Sequence, residues 1–328
     1  MPRPPAVARR AGAGRLVAAA VVLGLAPAGC SGGDHSAPTT TAAPTTTTLV
    51  PAVEVLDAGA APRAVRRFRF TAGTTAHLEV TTDLDVDQDA GADAEAPTLD
   101  GPAVTQAISL EIGRVAADGA SAELTVELGE VSIDREGTDL TDAEVVDLVA
   151  ELSALRGLRA TARMNDRGAV EAFAYEPPEG ATARALTALD GVADQVASLT
   201  VPLPEAAIGV GARWQATTAA AIGGLRASAR TTYELTAIDG DVLTYRATVV
   251  DTIAPQDLPA DQLPGGTTAR LTAADVEGTT TGTTDLAGLA ATAEGSIAGT
   301  QELEVRGPEG TTSVTQRLQL DVRVAAAG

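Results

Sequence analysis

In the run RLQLDVRV, residues 317–324, every second residue is apolar: Leu318, Leu320, Val322 and Val324. A period of two puts those side chains on one face of an extended strand and the polar ones on the other. This alternation constrains the chain more than any other feature, because it recurs. Ile108, Leu110 and Ile112 alternate in QAISLEI; Leu124, Val126 and Leu128 in AELTVEL; Leu243, Tyr245, Ala247 and Val249 in LTYRATV. Strands of this kind bury one face and wet the other, as antiparallel sheets do. Short turn signals separate such runs: AADGA at 116–120, NDRG at 165–168, IDGD at 238–241 and GPEG at 307–310.

Two segments carry the helical period instead. TDAEVVDLVAELSALRG opens on a capping box, Thr141 with Glu144, and stops at Gly157. Val145, Leu148, Val149, Leu152 and Leu155 form its apolar stripe. The second expected helix runs from about Ala181 to Leu199, with Leu186, Leu189, Val192, Val196 and Leu199 as its stripe, and VPLP ends it. The expected fold is therefore mainly β (α+β): a curved antiparallel sheet or half-barrel of long hairpin strands with two helices packed on it. A faint echo between residues 109–134 and 232–254 raises a duplicated half-domain.

The first 29 residues have the layout of an export signal. Arg3, Arg9, Arg10 and Arg15 precede the apolar run LVAAAVVLGL, Leu16 to Leu25. At about ten residues this run is too short to remain as a membrane span. The tract SGGDHSAPTTTAAPTTTT, 31–48, is too poor in apolar residues to offset the entropy of ordering it. The organisation expected is a signal peptide over 1–29, a Thr/Pro-rich disordered tether over 30–52, and a β-rich globular domain over 53–328.

Pro27, Ala28, Gly29 and Cys30 resemble the lipobox of bacterial lipoproteins, with Pro27 where Leu is usual. The resemblance implies cleavage before Cys30 and a diacylglyceryl group on its sulfur. Two acyl chains give stable anchoring where one does not. Cys30 is the single cysteine of the chain and, read this way, is a lipidation site. The implied localisation is the extracytoplasmic face of the cell membrane.

VPLPEAAIGVGARW (201–214), TYELTAIDGDVLTYRA (232–247) and RMNDRGAVEAF (163–173) carry a resemblance to a family of actinobacterial exported lipoproteins, a domain of unknown function. The element pattern is more distantly similar to lipoprotein carriers of the LolA and LppX type. That similarity implies an apolar cavity between sheet and helices, by analogy of fold alone.

The chemical inventory is thin. The chain has 23 basic and 44 acidic residues, net −21; without residues 1–29 it has 19 basic and 44 acidic, net −25. That balance opposes binding of nucleic acid or anionic lipid through a basic face. The two histidines are His35 and His77, and with Cys30 acylated no Cys/His metal cluster is available. A Ser-His-acid triad would have to use His77, which lies in TTAHLEV away from any G-x-S-x-G motif. Asp85, Asp87 and Asp89 begin like a calcium loop, but Ala90 and Ala96 stand where Gly and a bidentate Glu belong. The aromatics Phe68, Phe70, Phe173, Tyr175, Trp214, Tyr233 and Tyr245 read as core. Neither a cofactor nor catalysis is expected. The expectation is a non-enzymatic protein held on the membrane through Cys30, with a lipid or other apolar ligand in a sheet–helix cavity. The alternative is a structural or protein-interaction module of the envelope without a small-molecule ligand.

Overall fold

The computed structural model describes residues 50–90, 99–136, 138, 140–153, 155–175, 196, 199–222, 225–258, 263, 266–308 and 310–327. The strands in chain order are β1 (Ala52–Asp57), β2 (Thr75–Asp89), β3 (Leu99–Asp100), β4 (Ala103–Val115), β5 (Ser121–Asp134), β6 (Arg159–Asn165) and β7 (Val170–Tyr175). They continue as β8 (Arg213–Ile222), β9 (Leu225–Asp239), β10 (Val242–Ile253), β11 (Gln256–Asp257), β12 (Thr268–Asp285), β13 (Ala291–Gly307) and β14 (Gly310–Ala326). One helix, α1 (Asp142–Ser153), appears among the described residues. All strands join one antiparallel sheet in the order β1-β8-β9-β10-β12-β13-β14-β2-β4-β5-β6-β7, with β11 beside β12 and β3 beside β2.

The described residues are thus nearly all β, 65% strand and 5% helical, which overturns the α+β expectation of a sheet covered by two helices. The capping box of α1 forms: Glu144 Oε2 accepts from the Thr141 N–H at 2.9 Å, and Thr141 Oγ1 accepts from the Glu144 N–H at 3.3 Å. Yet Val145, Leu148, Val149 and Leu152 are only half-buried, so α1 rides on the rim beside β5. The expected helix from about 181 to 199 lies outside the described residues apart from Val196 and Leu199. The missed strand content lies chiefly in β12 and β13, built of Thr, Ala and Gly. Those residues fit a pleated surface, Thr through its β-branch, without marking it by large apolar alternation.

All four turn signals hold, with Gly119, Gly168, Gly240 and Gly310 at positive φ. Gly168 shows why: a Cβ there would sit 2.6 Å from the Phe68 ring and 2.6 Å from the Val201 carbonyl oxygen.

The main core lies on the inner face, where β2 and β4–β7 meet residues of β8–β10. The two ends of the sheet are joined there by a strap, residues 58–73 and 199–212, rather than by ladder bonds. Phe68 N–H donates to Asp166 O at 2.7 Å, Leu203 N–H to Arg167 O at 2.8 Å, and Arg69 N–H to Leu286 O at 2.7 Å. Every aromatic residue sits in or against this core. Trp214, fully buried, stacks on Tyr233 at 5.4 Å and donates its indole N–H to Pro202 O at 2.8 Å. A second apolar cluster, with Ile253, Leu258, Leu271 and Leu303, closes the opposite end of β10, β12 and β13.

Candidate functional site

A groove of about 820 Å³ runs across β10, β12, β13, β14 and β2. Its side chains belong to the outer face. Cross-strand register places Arg246, Thr281, Glu294, Arg323 and Thr81 in one row, and Thr279, Ser296, Asp321 and Asp83 in the next. With strands about 4.8 Å apart, a five-strand row spans about 19 Å. The volume is that of a small-molecule site, and the lining mixes hydroxyls and charges with the carbon surface of Ala103, Val322 and the threonine methyls.

Glycine shapes the backbone beneath this groove. A Cβ on Gly295 would collide with the Thr279 carbonyl oxygen, and one on Gly282 with the Thr292 carbonyl oxygen. Glycine at these two positions therefore leaves room that a side chain would take from the neighbouring strand's backbone.

The electrostatics are unbalanced. Arg246 and Arg323 have neither an ion pair nor a side-chain hydrogen bond among the described residues. Asp321 stands directly opposite Asp83, a like-charge pair that costs stability in a ladder. Asp321 accepts from Gln319 Nε2 at 3.2 Å. A ligand offering hydroxyls and an anionic group would find both donors and acceptors here.

An enclosed hole between Phe68, Leu110, Leu124, Val170 and Leu289 measures about 10 Å³, no more than one water. Midway along the inner face, Leu84, Val104, Ile133, Ile297, Leu320 and Val322 form a half-buried apolar band between the two clusters. Toward the second cluster, Gln88, Gln316 and Gln301 stand side by side on β2, β14 and β13. Gln301 and Gln316 are each 2% exposed, and Gln301 Oε1, Gln316 Nε2 and Gln88 Oε1 lack partners. Asp251 Oδ1 is likewise buried and unpartnered, and burial pushes its carboxyl above the usual range.

Cys30, the one site residue expected from sequence, lies outside the described residues, as does His35. His77 is exposed on β2, its Nδ1 2.9 Å from Ser109 Oγ on β4. In register, Ser109 is followed by Glu127, which pairs with Arg159 at 2.9 Å. Ser109 therefore stands between His77 and the carboxylate, the reverse of a triad in which the acid orients the His. Asp83, Asp85, Asp87 and Asp89 share the outer face of β2 instead of curling into a loop, with Asp87 opposite Arg317. No group of three or more His, Cys, Asp or Glu positioned for a metal occurs among the described residues. The polar groove itself escaped the sequence analysis. Its residues lie far apart in the chain, and the outward parity of weakly patterned strands was the only available signal.

No protein-family model matches the chain, and no curated protein matches it. Among solved structures, it is similar to an outer membrane channel from Pseudomonas putida F1, with 9% identity, a TM-score of 0.20, and coverage of 79% of this chain and 97% of that one. It is also similar to a loop-deletion form of OmpT, an outer membrane protein of Vibrio cholerae, with 8% identity, a TM-score of 0.18, and coverage of 77% of this chain and 100% of that one. At these TM-scores the likeness carries no argument. No helix among the described residues is long and apolar enough to cross a membrane.

Proposed function

We propose that this is a non-enzymatic, lipid-anchored protein of the extracytoplasmic membrane face that binds a polar, hydroxyl-rich ligand across its sheet. Cys30 carries the anchor, the Thr/Pro tract is the tether, and the all-β domain presents the groove. The ligand class is an acidic oligosaccharide. The observation that carries this reading is the 820 Å³ outer-face groove holding two guanidiniums without carboxylate partners. Guanidinium is suited to planar, bidentate recognition of carboxylates, and the Thr and Ser hydroxyls of the groove both donate and accept.

Binding to arrayed acidic and neutral oligosaccharides tests this. The wild-type chain retains acidic glycans, and the R246A/R323A variant loses at least about tenfold, since a hydrogen bond to a charged group contributes about 1.5–3 kcal/mol. Glycan binding that is absent, or equal in the variant, removes the reading. The anchor is tested separately: Cys30→Ala releases the protein from membrane fractions, and retention there contradicts lipidation.

The half-buried apolar band at Leu84, Val104, Ile133, Ile297, Leu320 and Val322 supports a second reading, an apolar ligand on the inner face. Mass spectrometry of the purified chain then finds co-purifying lipid, and its absence counts against that reading.

A further inference from the structure

Residues 58–73 contain four arginines and no acid, in a chain with 44 acidic residues. Within them Ala60, Ala61, Pro62, Arg63, Ala64 and Val65 are consecutively exposed. Of the seven large apolar side chains exposed among the described residues, Leu56, Val65 and Val210 lie on or beside this strap, and Val50 stands where the described chain begins. Scattered exposed apolar residues are ordinary, but three on or beside one short segment whose residues 60–65 are exposed without a break mark an interaction surface. The strap is also held rigidly. Ala60 N–H donates to Val210 O at 2.8 Å, Ala64 and Ile208 exchange backbone bonds at 3.1 and 3.0 Å, and Arg63 Nε donates to Gly59 O at 2.7 Å. Arg67 pairs with Asp166 at 3.4 Å and Arg69 with Asp241; Arg66 is half-buried with its Nε out of reach of solvent, and the exposed Arg63 has no carboxylate partner among the described residues.

We propose that this strap rests on an anionic lipid surface, with Leu56, Val65 and Val210 at the headgroup boundary and the exposed Arg63 against the lipid charges. The proposal rests on the membrane-tethered reading and adds an orientation to it. Its position argues for lipid: β1, six residues long, leads from the tether directly into the strap. A tether of about twenty residues gives an effective concentration in the millimolar range, so weak contact suffices. The overall charge does not forbid this. At physiological salt the Debye length is about 8 Å, so distant carboxylates are screened while the strap's own cation touches the surface. Salt dependence should therefore pass through a maximum. Whole-molecule repulsion dominates at very low salt, and screening of Arg63 dominates at high salt.

The test uses the chain from Cys30 onward, coupled through the Cys30 thiol to a maleimide lipid. The vesicles are phosphatidylcholine with or without phosphatidylglycerol. Chemical coupling keeps this experiment valid even if Cys30 is not acylated in cells. Peptide-level hydrogen exchange across 58–66 slows on the phosphatidylglycerol vesicles and does not slow around Val250, another exposed valine. The R63E/V65D variant, checked for an unchanged melting temperature, loses that protection by at least about fivefold, the expected effect of one basic residue at an anionic surface. Exchange over 58–66 that is the same free and on both vesicles overturns the proposal. So does equal slowing at Val250, and so does protection that survives R63E/V65D.

Discussion

Gln301 and Gln316 face each other across β13 and β14, each 2% exposed, and each has a buried amide atom without a partner. Leaving such an atom dry costs about 1–3 kcal/mol, so the pair carries a penalty of about 2–6 kcal/mol. Replacing both with Met preserves the unbranched shape and removes both amides; a volume-conserving swap of this kind costs less than about 1.5 kcal/mol. At mid-range values, about 4 kcal/mol of penalty less about 2 kcal/mol for the two swaps, the Q301M/Q316M variant should gain about 2 kcal/mol. For a domain of this size each kcal/mol shifts the melting temperature by about 2–4 °C. Urea unfolding followed by circular dichroism should show a raised midpoint at unchanged slope, and the two single variants should be non-additive because the side chains are neighbours. A lower midpoint in the double variant would refute the reasoning. It would mean that water or a bound molecule completes the amides, and that the row is a solvated polar site inside the sheet.

Asp251→Asn should stabilise the protein at neutral pH, because burial raises the carboxyl and the charged form is disfavoured in the fold. That contribution is present at low pH and lost as pH rises past the unfolded value near 4, so the gain should vanish in acid titrations of the midpoint. Tyr245 is pushed up to about 12 by burial, and Tyr233 is raised by burial and then by Tyr245. Below about pH 10 both are protonated whether folded or not. Between about 10 and 12 the unfolded chain ionises first and stability falls with pH, by on the order of 2–3 kcal/mol for Tyr245; a flat midpoint over that window, read by fluorescence of Trp214, would contradict it. Gly168→Ala should cost at least about 2 kcal/mol, from its φ of 82° and from contact with the Phe68 ring, while Gly73→Ala, at φ 81° with open space around it, should cost about 1–2. Equal losses would show that the Phe68 contact yields freely.

What sequence alone settled is local. Period-two alternation placed β4, β5, β10 and β14, Asp-Gly and related turns placed their hairpins, and Thr141 with Glu144 placed the start of α1, because each signal needs only neighbours within a few residues. The aromatic residues were legible as core for a similar reason: seven large rings in so aromatic-poor a chain have few other places to be buried. Tertiary structure decided the rest. β12 and β13 were invisible because Thr, Ala and Gly declare a strand only when flanking strands complete their hydrogen bonds. The strap over residues 58–73 showed no element pattern, and its role depends on Asp166, Arg167 and Leu286 arriving from distant segments. The groove likewise exists only in register. Arg246, Glu294, Arg323 and Thr81 share a row through a strand order that pairs β14 with β2, more than two hundred residues apart. No local signal encodes that pairing; it follows from which apolar faces bury together across the sheet.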